Sequence, residues 1–391
     1  MARWARAISH GWVVTGAVPG PDVDEFAEAS AVVAALANAG GADTLLAVQH
    51  PHRTPGARAD GLSLTDALAQ ARRALDRLRA RAYHEVTDVI AAYRVDGSDG
   101  LAVGVLCLVD PAAVDRRGMS WVRHSEEVYP WLVAERAAVL AGLGCATSAA
   151  MLVPVRGGRQ LTEAVLRCIA TRGQVSASSS DAHGRVHRLW LLEPGSEQEA
   201  LLAAVMRAPL LVADGNHRVA AAATSASHLL AFVTAGPCLR VGAFYRALLG
   251  TGLTASELAG AWRGKGLRVR RVCDPEPPQL PGTVTVRTGG AGLVVELPPP
   301  KPAEPRPRID HAVVEGLLIA DALGIDPAGP HVRALPAGHA VGPDLDALLQ
   351  LAPVPFADVL AVHQQGRRMP RKSTYFTPKP RSGLVLAELT R

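Results

Sequence analysis

The run with the most chemical potential is Leu210-Leu-Val-Ala-Asp-Gly-Asn-His-Arg218. A buried apolar stretch reaches Asp214 and turns at Gly215 straight into an Ala-rich helix. Unsatisfied backbone N–H groups and the positive helix end therefore converge where His217 and Arg218 stand. That combination suits an anion, above all a nucleotide phosphate. The same residues also suit a plain strand-to-helix turn, with Asp214 as cap and Arg218 in solvent. A second run, Lys372-Ser373-Thr374, puts a point charge beside two hydroxyl donors. It reads either as another phosphate grip or as a solvated basic edge.

Other chemistries find no support. Gly289-Gly-Ala-Gly292 lacks both a following helix and a Walker lysine, so it reads as a hairpin tip. No Gly-x-Ser-x-Gly elbow occurs, and His50-Pro-His52 lacks the helical spacing of metal ligands. The five cysteines, Cys107, Cys145, Cys168, Cys238 and Cys273, form no CxxC pair, which argues against a zinc ribbon or disulfide framework and for a reducing cytoplasm. With 391 residues, 48% hydrophobic and 20% charged, a sizeable core can form. The net charge of +5 is carried almost wholly by Arg, which supports anionic ligands only weakly. No secretory signal and no transmembrane helix are expected.

The elements that must position these residues read as a mixed order, so the expected fold class is α+β with a mixed sheet. Periodicity predicts helices over 24–39, 65–81, 161–172 and 198–206, and a short buried strand over 44–48. Residues 88–95 and 101–109 flank Asp96-Gly-Ser-Asp-Gly100 as a hairpin. Ser125 precedes Glu126 and Glu127 as the cap of a helix running to Leu143, with Gly144 closing it. Strands are expected at 150–155 and 189–192, and a mobile loop at 176–184. Two proline-dense stretches, 274–282 and 297–308, bracket a small hairpin on stiff tethers. Further helices are expected at 310–323, before Leu351 and at 356–365, with a last strand at 383–389. Three regions follow: a body over 1–273, the tethered hairpin over 274–308, and a C-terminal part over 309–391 packing back on the body.

Asp214-Gly-Asn-His-Arg-Val-Ala-Ala-Ala resembles the Asp-Gly-His-His-Arg signature of domain-of-unknown-function family ten-fifteen. Gly366-Arg-Arg-Met-Pro-Arg-Lys-Ser-Thr-Tyr-Phe-Thr-Pro-Lys-Pro-Arg-Ser-Gly-Leu384 resembles that family's Met-Pro-x-Lys-Ser-Thr-Tyr-Phe-x-Pro-Lys ending. Weaker similarity covers 101–136 and His187-Arg-Leu-Trp190. The chain departs from the pattern at Asn216 for the first signature His, at Ser125 for a His before Glu126, and at Tyr245-Arg246 for a His-Arg. Pro19-Gly-Pro-Asp22 stands for a Pro-Pro-Tyr-Asp element. The turn is also similar to the phosphate loop of the ParB and sulfiredoxin superfamily, which includes free-serine kinases.

The resemblance implies ATP or ADP as ligand, with Gly215, Asn216, His217 and Arg218 on the phosphates and Asp214 on magnesium or holding the turn. Lys372, Ser373 and Thr374 join the nucleotide. Glu126 is then the general base, although from the residues alone the plainer reading is an acid in a first helical turn after the cap Ser125. Arg136, His187 and Trp190 are substrate candidates, with a surface Arg and a core Trp as the plainer readings. The expected activity is phosphoryl transfer to the hydroxyl of a small free amino acid, L-serine first, in a cytoplasmic protein for which a homodimer stays open. The alternatives are a ParB-like regulator with a DNA partner, against which the dispersed Arg residues and missing helix-turn-helix speak, and a degenerate scaffold without activity.

Overall fold

The computed structural model describes residues 3–26, 29–225, 227–235, 239–302, 304–339 and 344–389, so Cys238 lies outside the described residues. The alternating runs around Ser98-Asp99 pair antiparallel as Tyr83–Gly97 and Gly100–Val109, with Gly97 opposite Gly100. This hairpin lies in a mixed sheet whose order is Val122–Arg123, Leu210–Asp214, Ala150–Pro154, Leu229–Ala235, Gly100–Val109, Tyr83–Gly97, Ile8–Val14, Val385–Glu388 and Cys145–Ala146. Among the described residues two pairings of this sheet are parallel: Leu210–Asp214 with Val122–Arg123, and Leu229–Ala235 with Ala150–Pro154. Gly104 is required where strands cross closely, because a Cβ there would strike the Val233 carbonyl.

The chain divides into two units. The first comprises Met1–His124, Val128–Arg240 and Thr377–Arg391; the second comprises Ser125–Glu127 and Val241–Phe376. The core of the first unit includes Val105, Leu152, Val165, Leu202, Val212 and Val233, from strands and from helices Gly158–Thr171 and Ser196–Val205. Each such buried aliphatic side chain contributes about 1.5–3 kcal/mol of transfer free energy. In the second unit a six-stranded antiparallel sheet runs Arg268–Val272, Gly292–Glu296, Thr283–Thr288, Leu345–Leu351, Phe244–Leu249 and Val332–Pro336. Trp262 is its anchor, fully buried and donating its indole N–H to the Leu318 carbonyl at 3.0 Å. Among the described residues no helix is long and apolar enough to cross a membrane.

Several local expectations are corrected. Residues 44–48 are not a strand: Leu45–Gln49 is a buried helix capped by the Thr44 hydroxyl, and a short apolar run does not distinguish the two. The 176–184 segment contains strand Ala177–Ser180 on Val186–Leu192, with Ala177 and Ser179 turned inward. The segment before Leu351 is a strand rather than a helix. The hairpin at 283–296 sits inside the six-stranded sheet, because Thr283–Thr288 also pairs with Leu345–Leu351. The helix from Asp310 becomes π-helical over Val314–Asp321.

The helix expected from Ser125 begins at Pro130 and ends at Leu143, with Gly144 left-handed at φ 61°. Proline suits the first helical position and drives the residue before it out of helical geometry, which places Tyr129 in extended backbone. Glu126 is therefore outside any helix. It forms a parallel bridge to Met369 instead, and the Met369 N–H donates to the Ser125 carbonyl at 2.8 Å.

Candidate functional site

In the first unit, strand Leu210–Asp214 turns at Gly215 into helix Asn216–Thr224. Gly215 has φ 93°, and a Cβ there would press on the Arg218 guanidinium, so glycine is needed on both counts. Arg218 folds back over this glycine. Its Nη2 meets Asp214 Oδ2 at 2.5 Å, and its Nη1 donates to Ser148 Oγ and the Ala149 carbonyl, each at 2.9 Å. Lys379 Nζ lies 2.8 Å from the other Asp214 oxygen and 3.4 Å from Asp24 Oδ2.

Both Asp214 oxygens are thus matched by cations. Magnesium demands near-octahedral oxygen ligands, and this donor set does not fit it; among the described residues no group of three His, Cys, Asp or Glu could hold a metal. His217 accepts the Tyr129 backbone N–H at Nε2, 3.1 Å away, and its ring lies parallel to that of Tyr129 at a 5.8 Å centroid separation. The accepting Nε2 places the ring proton on Nδ1. Asn216 Oδ1 accepts from His124 Nδ1 at 3.2 Å.

Glu126 belongs to the second unit, where it meets the Lys372 loop. Its Oε2 accepts the Lys372 backbone N–H at 3.2 Å, and its Oε1 accepts the Thr374 hydroxyl at 3.4 Å. Lys372 has φ 49°, a left-handed conformation that costs a non-glycine residue of order 1–3 kcal/mol unless its surroundings enforce it. Arg246 supplies part of that enforcement. It is 1% exposed, donates to the Arg371 and Lys372 carbonyls at 2.9 and 3.1 Å, and pairs with Glu315 at 2.6 Å. The Lys372 side chain is left exposed, with its ammonium 5.9 Å above the Phe244 ring. Ser373 is fully buried and donates to the Pro370 carbonyl at 2.7 Å, so its hydroxyl holds the loop.

The remaining candidates fall elsewhere in the first unit. His187 is fully buried, bonded through Nδ1 to the Tyr93 hydroxyl at 2.8 Å and through Nε2 to Asp181 at 3.3 Å. Burial pushes the Asp181 carboxyl upward, but the bonds from His187 and the Arg185 backbone and the Arg185 charge outweigh it and hold the group well below the usual carboxylate range. Trp190 is core. Arg136 is half-buried on helix Pro130–Leu143, and burial followed by the Arg218 charge lowers its pKa.

Three residues at these positions were not singled out from the sequence. His124 stands one place upstream of the position where the resemblance leads one to look for a histidine. Lys379 lies in the quoted ending without an assigned role, and Ser148 carries no local signal. The Pro19-Gly-Pro-Asp22 element and the chain end also meet: Asp22 accepts the Ser382 N–H at 2.6 Å, and Arg381 pairs with Glu25 at 2.7 Å. Burial and the neighbouring Asp24 raise the Asp22 pKa.

No curated protein matches the chain. Similar solved structures include a variant of a free serine kinase in complex with AMP, at 12% identity and TM-score 0.37, covering 67% of this chain and 88% of that one. A conserved hypothetical protein from Pyrococcus furiosus matches at 10% identity and TM-score 0.35, covering 67% and 92%. C-terminally truncated SbnI from Staphylococcus aureus matches at 11% identity and TM-score 0.40, covering 71% and 84%. The family model described as "Protein of unknown function (DUF1015)" matches residues 34–232, a range that contains the Asp214–Arg218 turn. With half of its length matched, the chain belongs to this family.

Proposed function

We propose that the protein transfers a phosphoryl group from ATP or ADP to the hydroxyl of a small free amino acid, L-serine first. The observation that carries this reading is the clamped Lys372 loop. A carboxylate, a hydroxyl and an exposed ammonium are gathered on a backbone held in a costly conformation by Glu126 and a buried arginine. Phosphoryl transfer asks a protein chiefly to position groups and match charge, and these residue types serve that purpose.

In this reading the Lys372 ammonium, on the same unit as Glu126, meets phosphate oxygens. Glu126 takes the substrate hydroxyl proton. The hydroxyl oxygen then bonds to the terminal phosphorus, while the bond from phosphorus to the bridging oxygen breaks and the nucleotide departs one phosphate shorter. His217, which accepts the Tyr129 N–H, lies in the first turn of helix Asn216–Thr224. Arg218 and Asp214 hold the turn, so any magnesium is carried by the nucleotide phosphates. Incubation with a magnesium nucleotide and L-serine should yield O-phosphoserine by mass spectrometry. Absence of product with serine, threonine and homoserine, using either nucleotide, would refute the assignment.

A further inference from the structure

The first unit gathers basic side chains that no acid among its described residues pairs with. Arg53 ends the turn Pro51–Arg53, Arg136 sits on helix Pro130–Leu143, and that helix packs against the one carrying Arg218. Arg136 is within electrostatic reach of both Arg218 and Arg53, and among the described residues the acid in that reach is its chain neighbour Glu135. Arg218 is already occupied by Asp214, Ser148 and Ala149. Among the described residues, the Arg53 and Arg136 guanidiniums make no hydrogen bond or ion pair.

Two histidines adjoin them. His50 is 8% exposed, its ring centroid lies 6.2 Å from that of His52, and its side chain has no hydrogen-bond partner among the described residues. His52 Nδ1 is buried without a hydrogen-bond partner among the described residues. Burial, then the charge of Arg53, lowers the pKa of both imidazoles, His50 down to about 3. Buried polar atoms normally find partners, and like charges drawn from water repel unless an anion joins them. Guanidinium forks without a described partner, beside unpartnered ring nitrogens, make a receptor for a planar or tetrahedral oxyanion.

We propose that Arg53 and Arg136, with His50 and His52 beside them, bind an oxyanion, either a carboxylate or a phosphate group. This deepens the proposed function by giving Arg136 a ligand group, while its evidence is the charge arrangement in one unit. Binding is therefore measured without turnover, by calorimetric titration of the full chain at low ionic strength with orthophosphate and, separately, with L-serine. At least one probe should bind, and Arg53→Gln and Arg136→Gln should each weaken it about tenfold or more, the usual scale for a lost bond to a charged group. Arg159→Gln, on an exposed arginine paired with Glu163, should leave it unchanged. Orthophosphate binding assigns the site to a phosphate source, and L-serine binding assigns it to a carboxylate. If Arg136→Gln does not fold, Arg53→Gln, at a partly exposed turn, carries the test. No binding of either probe, or undiminished binding in a folded variant of either arginine, overturns the site. Oxyanion binding without phosphoserine formation would refute the kinase reading and leave this site standing.

Discussion

At the Asp214 turn the arginine side chain is consumed in holding backbone: Arg218 ties Asp214 to Ser148 and the Ala149 carbonyl. At Lys372 other residues hold the backbone, and the ammonium is left exposed above Phe244. Both segments show a basic residue in a run that sequence reading assigns to phosphate. What separates them is whether a nearby acid can reach the cation. Asp214 is four residues before Arg218 on the same turn, whereas Glu126 accepts from the Lys372 amide and leaves the side chain alone.

The largest effect should come from the buried arginine behind the loop. Arg246→Ala removes the buried partner of an ion pair to the partly exposed Glu315 and takes a donor from Glu315 and two carbonyls. A loss of about 3–5 kcal/mol is expected from denaturant unfolding of the second unit. A loss below about 1 kcal/mol would show that Arg246 does not clamp the loop.

Acid should act next. His50 in the first unit and His311 in the second are both held down to about 3 by burial, followed by Arg53 and Arg246 respectively, against an ordinary value of 6.5. Their folded pKa values lie below the unfolded ones, so the unfolded chain binds more protons as pH falls. The stability these two neutral rings contribute is present above pH 6.5 and is lost progressively as pH drops toward 3. Melting curves between pH 7 and 4 should show this loss, and His50→Gln should flatten the part belonging to the first unit.

Arg218→Ala should cost about 1–3 kcal/mol even without ligand, since three bonds disappear from a partly exposed turn. An unchanged melt would favour a ligand-facing Arg218. Smallest is the pair within the loop. Ser373→Ala should cost about 1 kcal/mol through its buried bond to Pro370, while Lys372→Ala should shift stability by no more than about 0.5 kcal/mol yet weaken nucleotide binding. Equal stability losses would erase the contrast between the hydroxyl and the ammonium.

Much of the layout was legible where periodicity was long. The hairpin at Tyr83–Val109 and the strand-turn-helix at Asp214 followed from alternation and from Gly215. Residues 44–48 were misread because four buried apolar side chains in a row suit a helix and a strand equally. The helix start was misplaced because Ser125 imitates a cap, although Pro130 marks the true start and leaves Glu126 outside the helix. The direction of Arg218, the fully buried His187 and the pairing of His124 with Asn216 depend on tertiary neighbours far along the chain, which no local pattern encodes.

The most direct test of the account compares Glu126→Gln with the parent in phosphate transfer from a magnesium nucleotide to L-serine, alongside melting and nucleotide titration. The substitution keeps an oxygen able to accept the Lys372 amide but removes the base. Turnover should fall by about 10²–10⁴-fold with nucleotide affinity and melting nearly unchanged. Full turnover in Glu126→Gln, or a loss that follows the fraction unfolded, would contradict the role of Glu126 as the group that takes the hydroxyl proton.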